Sequence, residues 1–167
     1  MSSPGSAQRA DAVQYLDVVP KAITDVMAST AGIEVSQCSP ENQMSPDGVI
    51  IAVISLVGDL EWSVFLGLPR QTAINLAKTF AGFEIPFESE DMGDAIGEVT
   101  NIMAGQVKAI LDTRGVLVEI SLPSVIRANN LEVLIQRGSA GQKVCYESSL
   151  GTLWTGVVTS GEAGFMA

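Results

Sequence analysis

The chain has 167 residues, 47% apolar and 17% charged, enough for one sizeable core and too apolar for a disordered polymer. Nineteen acidic against nine basic residues leave a formal charge of −10, which argues against a face for nucleic-acid phosphates or an anionic membrane surface. There is no histidine, so Ser-His-Asp and Cys-His catalysis and His-ligated metal sites are excluded.

Residues 1–11 begin with a stretch rich in Ser, Pro and Gly and read as a flexible tail without the apolar run of a signal peptide. Residues 12–31 read as a helix, with Leu16, Val19, Ile23, Val26, Met27 and Thr30 at spacings of three and four. Pro20 suits a start near it, and Gly32 suits its end. Residues 33–35 alternate as a strand does, and residues 39–47 read as a loop. Residues 49–57 form a β-rich run, Gly58-Asp59 a hairpin turn, and residues 60–66 the return strand with Trp62, Val64 and Leu66 on one face. Pro69 fits the first turn of a helix whose stripe is Ala73, Leu76, Ala77 and Phe80, closed by Gly82.

An acidic linker, 83–91, leads to a longer helix over 91–113, closed near Gly115. Four β segments are expected after it, at about 116–121, 131–137, 142–148 and 151–158, with the turn Gly138 to Gly141 between the middle pair. Residues 161–167 read as a second flexible tail. The expected unit is one domain over 12–160, of α+β class, with helices packed on a mostly antiparallel sheet. Helix, glycine, strand recurs at Gly32 and at Gly115, a faint echo of two similar halves. No segment approaches the roughly 20 apolar residues of a bilayer span, so a cytoplasmic protein is expected.

Chemistry concentrates on the long helix. At about 100° per residue, Asp94, Glu98, Asn101, Gly105 and Lys108 share one stripe, while Ile96, Val99, Ile102, Met103, Val107 and Ile110 face the core. On pattern alone the solvated side of an amphipathic helix is the better account of such a stripe. Asn101 and Gly105 are poor interior helix residues, Gly costing about 1 kcal/mol against Ala, which points to contact with something outside. Gly97, on the stripe's edge, also fits close packing. Cys38 and Cys145 are far apart in sequence and form no CxxC motif; they read as small buried or half-buried thiols, with a disulfide left open. Trp62 and Trp154 read as packing residues.

The pattern Asp94-xxx-Glu98-xx-Asn101, followed by Ile-Met-Ala-Gly105, resembles the signature of the CheC/CheX/FliY phosphatases of bacterial chemotaxis. Pro123 stands where that family carries a proline, and a single E-xx-N resembles CheX rather than CheC. Tyr15-Leu16-Asp17, the stretch from Met27 to Val35, and Leu66-Gly-Leu-Pro69 leading to Gly82 are similar to CheX as well. Val18-Val19 departs from the family's usual first-helix start.

The resemblance implies a pseudo-twofold CheC/CheX-like architecture and a phosphatase acting on the phospho-aspartate of a CheY-like response regulator. It implies Glu98 and Asn101 as catalytic residues, with Asp94, Glu98 and Gly105 binding the partner. Asn101 would position water through an amide that donates and accepts without adding charge, and Glu98 would anchor the partner's lysine. No cofactor or metal of its own is implied; Mg²⁺ is expected on the partner receiver domain. A homodimer formed by joining sheets is implied too. A non-catalytic module that docks a receiver domain or flagellar-switch component stays open.

Overall fold

A computed structural model of the chain describes residues 12–39, 47–129 and 141–159. Both expected tails, most of the 39–47 loop, the expected strand 131–137 and most of the Gly138 to Gly141 turn lie outside the described residues.

A 3₁₀ turn, Ala12–Tyr15, precedes α1, Val18–Ala31. Pro20 falls in the first turn of α1, where its missing N–H has no intrahelical partner to lose. Gly32 closes α1 in the left-handed conformation, its N–H donating to the Ala28 and Met27 carbonyls. Residues 33–35 are extended but unpaired; the strand β1 is Ser36–Cys38, three residues later than expected. Ile33 and Val35 pack against the core instead, so apolar alternation marked burial rather than strand pairing.

β2, Val49–Gly58, and β3, Trp62–Pro69, form an antiparallel pair with Leu56 opposite Trp62. Gly58 ends β2 rather than making a tight turn. Its φ is +154°, and an added Cβ would strike the Leu117 carbonyl, so only glycine lets the neighbouring chain approach. Pro69 caps α2, Arg70–Ala81, one residue before its first turn. The third helix, α3, spans Glu90–Thr113. After it come β4, Val118–Ile120; β5, Ser124–Ala128; β6, Gly141–Ser148; and β7, Gly151–Thr159. β5 was not foreseen: a segment of five residues behind Pro123 is too short to show a clear alternation.

The seven strands form one antiparallel sheet in the order β1-β6-β7-β3-β2-β4, with β5 pairing β2 beside β4. The fold class is therefore α+β. Exchanging β1 with β4, β2 with β6 and β3 with β7 turns this order into its own reverse, so a pseudo-twofold axis runs between β7 and β3. The three helices contact one another and one face of the sheet. Ile50, Ala52, Ile54 and Leu56 of β2, with Trp62, Val64, Leu66 and Leu68 of β3, meet Ile23, Leu76, Ile96 and Met103 of the helices there. A smaller cluster of Ile51, Cys145 and Trp154 lies apart from this core. No helix among the described residues is long and apolar enough to cross a membrane.

Candidate functional site

The sequence starts α3 firmly. Ser89 caps it, its Oγ accepting from the Met92 N–H, and Glu90 and Asp91 occupy the first turn, where the helix dipole favours negative charge. The preceding loop is pinned from the sheet by Arg127 on β5. Its guanidinium donates to the Phe87 carbonyl at 2.7 Å and the Ser89 carbonyl at 2.9 Å. Arg70 lies 4.6 Å from the Phe87 ring centroid and pairs with Glu88. The Arg70 hydrogen bond holds the Glu88 carboxyl below its ordinary range.

The acidic linker is thus not the bare negative run that composition suggests. Glu88 has Arg70 and Glu84 has Lys78 at 3.0 Å. Sequence reasoning missed both pairs because each bridges separate elements. It also could not place Arg127, which sets where α3 begins.

α3 buries most of its circumference. Ile96, Val99, Met103, Val107 and Ile110 are buried as expected, and Ile102 is partly so. One narrow stripe remains outside: Asp94 and Glu98 are exposed, Asn101 and Gly105 half-buried. Lys108, at its far end, pairs with Glu119 of β4 at 2.8 Å. Among the described residues, none makes a hydrogen bond or ion pair with the side chains of Asp94, Glu98 or Asn101. Glu98 and Asn101 stand three residues apart, the spacing that places side chains on one helix face about 5–6 Å apart.

A shallow open depression adjoins this stripe, lined by Gly93, Asp94, Gly97, Glu98, Pro123 and Val125. Gly97 lies on its floor. A Cβ there would lie 3.5 Å from Pro123 and 3.4 Å from Val125, in ordinary contact, so Gly97 faces the β4–β5 connection without being required for its approach. Pro123 therefore stands beside Glu98 across 25 residues of chain. Gly105 differs: a Cβ there meets nothing within 4 Å. Internal packing does not require that glycine, and the surface is flat where it sits.

The arrangement offers a carboxylate, a carboxamide and a flat patch on a rigid helix. It offers no nucleophile–base pair. Among the described residues, no group of three or more Cys, Asp or Glu side chains is placed to hold a metal.

The family profile described as "Chemotaxis phosphatase CheX" matches residues 50–147, more than half of the chain. No curated protein matches. The chemotaxis protein CheX of Desulfovibrio desulfuricans superposes with a TM-score of 0.74 at 24% identity, covering 88% of this chain and 99% of that one. CheX of Vibrio vulnificus gives 0.78 at 17% identity, covering 93% and 100%. A third similar structure is that of a CheX–CheY–BeF₃–Mg²⁺ complex from Borrelia burgdorferi, with a TM-score of 0.70 at 19% identity and coverage of 87% and 97%. At such identities these structures bear on the fold, and the profile on the lineage: the chain belongs to the CheX family of chemotaxis phosphatases.

Proposed function

We propose that this chain hydrolyses the phospho-aspartate of a CheY-like response regulator, with Asn101 positioning the attacking water and Glu98 anchoring the partner. The observation that carries the reading is that, among the described residues, the side chains of Asp94, Glu98 and Asn101 have no partner, on the outer stripe of a helix whose other side is buried.

An acyl phosphate is already activated, so the phosphatase needs neither its own nucleophile nor its own metal. It needs a water held in line with phosphorus and a partner held still. The Asn101 amide can accept from that water and donate to the phosphoryl oxygens without adding charge. Glu98 is unsuited to touch the phosphoryl group, since both are anionic. It suits a cation on the partner, such as the receiver's active-site lysine. Asp94, one turn earlier, orients the docked surface, and Gly105 lets it lie close. The BeF₃⁻ and Mg²⁺ in the Borrelia complex fit a partner that supplies its own metal and phosphoryl site. A homodimer joined through sheet edges belongs to the same reading: β1 and β4 are short rims, and such edges gain from pairing.

The test is the decay of a receiver domain phosphorylated with acetyl phosphate. Substoichiometric amounts of the chain should accelerate it with multiple turnovers. Phosphate loss left unchanged or slowed would identify a docking module without hydrolysis.

A further inference from the structure

Cys38 ends β1 and Cys145 lies in β6, and the two are direct cross-strand partners. Direct partners in an antiparallel pair sit about 4.5–5.5 Å apart at Cα, within the roughly 4.4–6.8 Å that a disulfide spans. Their side chains share a face, because opposed residues of antiparallel strands point the same way. Cys145 packs with Ile51 and Trp154, and Cys38 lies against that cluster. Both are free thiols. Cys38 is half-buried while Cys145 is 4% exposed, so a small oxidant meets Cys38 first and Cys145 waits behind it. Burial pushes both thiols up, and Glu147 adds to this at Cys38. The pair therefore rests as neutral dithiol.

We infer that Cys38 and Cys145 form a redox-active dithiol site that closes to a disulfide between β1 and β6 when the chain meets a peroxide. Cys38 Sγ, on losing its proton, attacks one peroxide oxygen. The O–O bond breaks, hydroxide leaves and takes up that proton as water, and Cys38 becomes a sulfenic acid. Cys145 Sγ then attacks Cys38 Sγ, the S–O bond breaks, and the departing hydroxide takes the Cys145 proton. Two thiols and one hydrogen peroxide give one disulfide and two waters; the sulfurs lose the two electrons that the peroxide gains. The product clamps a three-residue rim strand to the longer strand beside it. β1 lies at the opposite end of the sheet from β4 and β5, so the clamp leaves the α3 stripe as it is.

The purified full chain is treated with a few equivalents of hydrogen peroxide, then alkylated and digested for mass spectrometry. Both thiols should disappear together, the intact mass should fall by two hydrogens, and the Cys38 and Cys145 peptides should be linked within one chain. Dithiothreitol should restore both thiols. The oxidised chain should melt about 5 °C higher, since the bond closes a long loop. Cys145→Ala should stop at oxygen adducts of Cys38 with no cross-link. Two thiols surviving, Cys38 over-oxidised beside a free Cys145, or links found only between chains would each overturn the site.

Discussion

The two halves of the molecule share a plan and differ in one helix. In each, a helix runs to a glycine in the left-handed conformation, Gly32 with φ 65° or Gly115 with φ 76°, and then to a three-residue strand at the rim of the sheet. But α1 has 14 residues and α3 has 24. Counting back from the closing glycines, Glu98 and Asn101 correspond to Tyr15 and Val18 in the first half. Tyr15 lies in the 3₁₀ turn, and Val18 is the fully buried first residue of α1. Among the described residues, the first half has a 3₁₀ turn where α3 carries Glu98. Asp94 and Glu98 of the candidate site therefore sit on the part of α3 that extends beyond the length of α1.

The largest expected effect sharpens this asymmetry. Asn101→Ala should remove most of the stimulated dephosphorylation, about 10–100-fold or 1.4–2.8 kcal/mol of transition-state stabilisation, with no loss of thermal stability. Single-turnover decay of phosphorylated receiver checks it, and a variant still at the parental rate sinks the role given to Asn101. Glu98→Ala should chiefly raise KM. If saturated rate and KM are both unmoved, Glu98 is not the anchor. Tyr15→Ala, at the corresponding place in the first half, should change neither.

This division explains what could be read beforehand. The α3 stripe was legible because a helix 24 residues long repeats its pattern over many turns, and its two faces differ sharply. The pairing of halves was only an echo, since symmetry resides in strand order and no local periodicity encodes it. β5 escaped for a related reason. Its five residues are too few to show an alternation, and the strand is completed by Ile51 and Ala52 across the sheet, opposite Ile126 and Val125. The shift of β1 from residues 33–35 to Ser36–Cys38 has the same origin: β6 sets the register. The partners of the acidic linker were not legible because Arg70, Lys78 and Arg127 reach it from α2 and β5.

The seam between the halves is the next place to press. Gly67 of β3 faces Trp154 of β7 across the pseudo-axis, and a Cβ on Gly67 would run into the indole ring. On its other side the ring carries Lys143, 4.5 Å from its centroid. Gly67→Ala should cost about 1–3 kcal/mol by overpacking, read as a lower denaturant midpoint. An unchanged midpoint would mean that the indole swings outward freely and that the seam is loosely packed.

Gly105→Ala should do the reverse. Nothing inside the molecule opposes the added methyl, and alanine favours the helix by about 0.5–1 kcal/mol, so the variant should be more stable. If a partner lies flat on this turn, the same methyl should raise KM for phosphorylated receiver. Greater stability with an unaltered KM would keep the helix argument and remove Gly105 from the docking surface.

The smallest effect tests a bidentate clamp between the halves. Arg114, at the end of α3, donates to both carboxylate oxygens of Asp17, before α1, at 2.9 and 2.7 Å. The guanidinium holds the Asp17 carboxyl below its ordinary value of 3.8. Because the folded value is depressed, its stabilisation is complete above the ordinary value and fades as pH falls through the folded one. The pair is largely solvated, with side-chain exposures of 34% and 58%, so screening keeps its worth small. Asp17→Asn should therefore lower Tm by about 1–2 °C at pH 7, and by less as the pH drops below the ordinary carboxylate range. A deficit that persists undiminished at low pH would locate the loss in packing at the start of α1, and the charge pair would then not be what fastens the short helix to the long one.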